Sequence, residues 1–99
     1  MSPNIAIDRV ELAAFCRRHG IRRLAVFGSA LRADFAPGSD IDVLVEFETG
    51  RTPGLAFFAM QDELTRMFGR AVDLHTPASL SRYFRDAVLA EAQDQYVAA

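Results

Sequence analysis

Hydrophobic and polar positions recur with two periods along this chain, and each change of period marks a new element. Leu12, Phe15, Cys16 and His19 follow helical spacing. Asp8 and Glu11 ahead of them predict a capping box, Gly20 predicts the stop, and Arg17 and Arg18 complement the dipole of the last turn. Leu24 to Phe27 is apolar throughout, which predicts a strand in the middle of a sheet. The run halts at Gly28-Ser29; a short helix is expected from Ser29 to about Asp34, then a turn at Pro37, Gly38 and Ser39. Alternation resumes over Asp40 to Phe47, with Ile41, Val43 and Val45 on one face and Asp40, Asp42, Leu44 and Glu46 on the other.

Thr49 to Gly54 reads as a loop. Leu55 to Phe68 is again helical, with Phe57, Met60, Leu64, Met67 and Phe68 inward and Gly69 as its end. Ala71 to Leu74 predicts a third strand carrying Asp73. Thr76-Pro77 opens a last helical region, with Pro in a first-turn position and Leu80, Phe84, Ala87 and Val88 expected to pack inward. Residues 1–7 read as a lead-in, and residues 94–99 as either a frayed tail or a short edge strand. The pattern predicts an α+β fold: a small mixed sheet of three or four strands packed against helices.

Composition narrows the possibilities. Ninety-nine residues suffice for one small domain, taken here as residues 1–99, with a modest core and no second lobe. A net charge of −2 argues against nucleic-acid binding driven by bulk charge, so no direct nucleic-acid contact is expected. Arg17, Arg18, Arg22 and Arg23 form a basic cluster, read as a solvated helix end rather than a nucleic-acid surface. The single cysteine, Cys16, cannot form an internal disulfide and reads as a small core residue, which fits a reducing cytoplasm. No apolar run approaches the roughly 18 residues of a membrane span, and no signal-peptide pattern opens the chain. All eleven basic residues are arginine, so lysine nucleophiles and the Walker lysine are excluded.

The chemistry concentrates between Gly28 and Val45. In a strand, Asp40 and Asp42 face the same way with Cα atoms about 7 Å apart. Two such carboxylates raise each other's pKa unless a positive charge lies between them, and a hard divalent cation such as Mg²⁺ takes oxygen ligands of this kind. Gly28 allows a sharp turn out of the preceding strand, and Ser29 can cap the short helix after it, where free N–H groups receive anions. A phosphate cradle and a carboxylate pair thus lie on adjacent elements. Glu46 shares the carboxylate face but sits about 13 Å from Asp42, too far to share one metal. Asp73 reads equally as a solvated strand end or as part of the site. His75 shares its face and is read as structural or surface, with a catalytic role the less favoured alternative. Arg32 either pairs with Asp34 or reaches nucleotide phosphates.

Gly28-Ser29, ten residues, then Asp40-x-Asp42 resembles the signature of the DNA polymerase β-like nucleotidyltransferases. With Phe27, Arg32, Asp34 and Ser39 to Val43, it looks closest to the minimal nucleotidyltransferases (MNT), catalytic domains often paired with a HEPN-family toxin. The resemblance covers nearly the whole chain and implies a polymerase β-like fold and attack of an acceptor hydroxyl on the α-phosphorus of ATP. It implies Asp40, Asp42 and Asp73 as catalytic carboxylates holding two Mg²⁺ ions. Gly28, Ser29 and Arg32 would serve the nucleotide. It further implies an antitoxin that transfers AMP to a tyrosine of its HEPN partner. Two alternatives stay open: an antitoxin acting by occlusion, and a nucleotidyltransferase for an aminoglycoside-like small molecule, for which the second lobe is missing. The resemblance does not call for a histidine at His75.

Overall fold

The computed structural model describes residues 8–28, 40–51 and 53–98. Helix α1 (Arg9–His19) starts at Asp8, whose carboxylate accepts from the N–H groups of Val10 and Glu11. It ends at Gly20 in the left-handed region, with Arg17, Arg18 and His19 in its last turn. Strand β1 (Ile21–Phe27) begins earlier than its apolar run, because Arg22 and Arg23 belong to it. Strand β2 (Ile41–Phe47), helix α2 (Ala56–Phe68) and strand β3 (Val72–His75) come next. A 3₁₀ turn (Pro77–Ser79), closed by a Thr76/Ser79 capping box, leads to helix α3 (Arg82–Glu91) and strand β4 (Gln93–Val97). Of the two readings for the tail, Gln93–Val97 is an edge strand. The lead-in at residues 1–7 and the helix expected from Ser29 to Asp34 lie outside the described residues.

The sheet has the order β3-β2-β1-β4. β1 runs antiparallel to both neighbours and β2 runs parallel to β3, so the sheet is mixed and the fold α+β, as expected. On one face Leu24, Val26, Ile41, Val43, Val45, Val72 and Leu74 pack with Leu12, Phe15 and Cys16 of α1 and Met60 and Leu64 of α2. These side chains carry the core, and burying each large one contributes roughly 1.5–3 kcal/mol. Cys16 is fully buried there, and burial pushes its thiol up to about 12, which keeps it protonated and inert.

The fourth-strand edge is blunted: the Arg9 guanidinium donates to the Gln95 carbonyl at 2.8 Å. Arg22 and Arg23 both pair with Glu46, and Arg23 also reaches Asp94 at 2.5 Å. Arg18 pairs with Glu63 at 2.6 Å. Three arginines of the basic cluster are thus engaged within the fold, and so is Glu46.

One expectation fails. α3 buries none of its residues; Phe84 and Ala87 are exposed, and Leu80 and Val88 only half-buried. The helical period of this segment is real, but its apolar side includes Tyr83 and Phe84, which the rest of the described chain leaves uncovered. Amphipathic spacing shows that a face is suited to burial, not that this chain buries it.

Candidate active site

The second face of the sheet is apolar at its centre and acidic at one end. Ala25 pairs with Leu44 and Phe27 with Asp42 across β1 and β2, and Ala25, Leu44 and Phe27 are buried. The parallel register of β2 and β3 sets Asp42 beside Asp73 and Leu44 beside His75. Period two then brings Asp42, Asp73 and His75 to one face, where one ligand atom from each lies within 4.8 Å of the others.

α2 fixes the strand that carries Asp73. The backbone N–H groups of Val72 and Leu74 donate to Thr65 Oγ1 at 3.2 Å and Gln61 Oε1 at 3.0 Å. Those two side chains supply the acceptors that a further strand would otherwise have offered at this edge, and so hold β3 in register against β2.

Gly28, directly after β1, has φ +71°, a conformation that costs any side chain with a Cβ. A Cβ here would also lie 2.5 Å from Asp42 Oδ2, so the glycine leaves room for that carboxylate. The Gly28 N–H donates to Glu91 Oε1 at 2.9 Å, bringing the end of α3 to the same place. Asp40 immediately precedes β2 and is exposed. Ser29 and Arg32, the other expected nucleotide contacts, lie outside the described residues.

Asp42 is held above the ordinary carboxylate range, first by burial and then by the charges of Asp73 and Asp40, with His75 partly offsetting them. His75 Nε2 lies 3.6 Å from Asp42 Oδ1, too long for a hydrogen bond, and is itself buried with no such partner among the described residues. Crowded carboxylates and a buried nitrogen lacking a partner suit a divalent cation, which would relieve both, so the residues present fit a metal.

The fold and this geometry can be set beside known proteins. The nucleotidyltransferase domain family matches residues 11–95. The chain belongs to that family. A Methanocaldococcus jannaschii relative, MJ0435, provisionally named a protein adenylyltransferase, is 38% identical to this nucleotidyltransferase over 92% of the chain and 97% of its own length. The protein adenylyltransferase MntA of Thermococcus cleftensis is 37% identical over 75% of this chain and 74% of its own. Among solved structures, one described as a minimal nucleotidyltransferase superposes with a TM-score of 0.71 at 38% identity, covering 86% of each chain. A toxin–antitoxin structure with AMP-PNP gives 0.74 at 18% identity, covering 93% of this chain and 75% of that one; at that identity it speaks for the fold.

Two residues that the structure brings beside the candidate site, His75 and Glu91, were not placed in it from the sequence, where His75 is read as structural with a catalytic role less favoured. Spacing placed His75 on Asp73's face, and the strand register, which spacing does not give, carries it to Asp42. Glu91 had no local signal at all, since its contact with Gly28 spans 63 positions and depends on β4 pairing with β1.

Proposed function

We propose that this protein transfers AMP from ATP to a protein hydroxyl, a tyrosine of a cognate HEPN-family toxin, whose oxygen bonds to the α-phosphorus as pyrophosphate leaves, and so acts in the cytoplasm as its antitoxin. The observation that carries the reading is the pairing of Asp42 with Asp73 across parallel strands, beside the left-handed turn at Gly28. Relatives named protein adenylyltransferases and neighbours described as toxin–antitoxin complexes support the substrate and partner classes.

In this reading Asp40, Asp42 and Asp73 hold Mg²⁺. When bound, the metal polarises the phosphoryl oxygens and lowers the pKa of the acceptor hydroxyl. Asp73, the exposed member of the pair, would either help hold the metal or take the acceptor's proton. The Gly28 N–H, paired with Glu91 in the free protein, is a donor for phosphate oxygen; Ser29 and Arg32 come after it in the chain. Fixing the triphosphate before reaction sets the line of attack. A tyrosine suits such a site, because its phenol, with an ordinary pKa near 10, becomes nucleophilic beside a divalent cation. The added AMP would also place new negative charge on the toxin's surface.

Incubation with ATP and Mg²⁺ alone should give slow self-labelling or hydrolysis at most. Adding the cognate HEPN protein should give mass increments of whole AMP units on one of its tyrosines. Asp40→Asn, Asp42→Asn and Asp73→Asn should each stop the labelling. Full neutralisation of the toxin by those variants, with no mass shift from the wild type, would show occlusion instead.

A further inference from the structure

We infer that His75 is a nitrogen ligand of the cation site, making it a mixed nitrogen–oxygen centre that takes Mn²⁺ in preference to Mg²⁺. The inference rests on the nucleotidyl-transfer reading for the presence of a cation, and on this chain's own geometry for the ligand. The parallel register puts Asp73 beside Asp42 and His75 one step further along the same face. Ligand atoms of the three residues lie within 4.8 Å of one another, with Nε2 3.6 Å from Asp42 Oδ1. Neighbouring and opposite ligands in an octahedral shell with bonds of about 2.1 Å are separated by roughly 3–4 Å. The cluster is therefore close to the scale of one coordination shell.

A metal-free ion pair between His75 and Asp42 accounts for the geometry less well. Charge-assisted N–H···O contacts close to about 2.7–2.9 Å, and this one does not. Nε2 is instead buried without a hydrogen-bond partner among the described residues, an arrangement that is costly unless something fills it. The ring is steadied by the edge of Phe27, centroid to centroid 5.4 Å at 60°. Imidazole adds little for Mg²⁺, which prefers oxygen, and more for first-row transition ions.

The test uses Mn²⁺ as the probe. Titration monitored by electron paramagnetic resonance gives its affinity, and electron spin echo modulation of the bound ion reports any coordinated ¹⁴N. Wild-type protein should show ¹⁴N coupling from one imidazole. His75→Ala should lose that coupling and bind Mn²⁺ about 10-fold more weakly or worse, with Mg²⁺ affinity, read by competition, changed by less than about 3-fold. Bound Mn²⁺ without ¹⁴N coupling in the wild type, or no Mn²⁺ binding at all, overturns the inference whatever the variant does. Equal Mn²⁺ affinity in folded His75→Ala overturns it too. If AMP transfer persists without ¹⁴N coupling, the ligand assignment alone falls. If coupling appears but no AMP transfer occurs, the functional reading falls and the ligand stands.

Discussion

The two faces of strand β2 are built to opposite ends. Ile41, Val43 and Val45 are fully buried in the apolar core that α1 and α2 help to build. On the other face, Asp42 is half-buried against Asp73 and His75, with its charge held at a disadvantage. The first face supplies stability. The second gives some of it up to hold two carboxylates side by side, as the proposed cation site would require. Residues one position apart in sequence therefore answer to different demands, and substitutions should separate them.

The largest effect should come from the helix-covered face. Leu64→Ala removes a fully buried side chain and should cost about 2–5 kcal/mol in urea or thermal unfolding, much of the total for a domain this small. At temperatures where the variant stays folded, its AMP transfer should be close to wild type. Selective loss of activity in the folded variant would mean that the two faces are not separable.

Gly28→Ala touches both demands. The left-handed backbone and the 2.5 Å approach to Asp42 Oδ2 predict a loss of about 1–3 kcal/mol and a displaced carboxylate. Transfer should fall far more than stability does. A variant with wild-type stability and turnover would show that the turn at Gly28 is not needed as drawn.

Asp42→Asn should go the other way. Because folding raises the Asp42 pKa, the folded state binds more protons than the unfolded one between the two values, and stability falls as pH rises through that window. Above the window, metal-free Asp42→Asn should melt a few degrees higher than wild type, roughly 4–8 °C per kcal/mol relieved. Below the ordinary carboxylate pKa the difference should vanish, since Asp42 is then neutral in both states. A variant less stable than wild type at neutral pH would mean that Asp42 contributes to the fold as an anion.

Much of this was readable in the chain because the signals are local. Asp8 and Gly20 bracket α1 through backbone geometry that their own side chains, or lack of one, decide. The period-two run after Asp40 gives β2 and its faces, and Gly28-Ser29 with Asp40 and Asp42 points to the chemistry. What stayed hidden depends on pairing between distant segments. The residues alone leave Asp73 open between site and solvent, and only the family resemblance draws it into the carboxylate set; the parallel register that sets it beside Asp42, with Thr65 and Gln61 holding β3 in place, has no local signal. Gln93 to Val97 carry too little hydrophobic pattern to declare an edge strand, yet they pair with β1 and bring Glu91 to Gly28. α3 misled for the converse reason. Its apolar spacing is clear, and the described chain leaves Tyr83 and Phe84 exposed.

The central claim is that the acidic end of the sheet is strained without a ligand and relieved by one. It is tested most directly by the melting temperature with and without Mg²⁺ and AMP-PNP, in wild type and in Asp42→Asn. A ligand that binds only the folded state at 100 times its Kd adds about 2.7 kcal/mol, so the wild type should melt roughly 10 °C or more higher with the nucleotide–metal pair. Asp42→Asn should start higher and gain little. An equal gain in both proteins, or none in the wild type, would contradict the account.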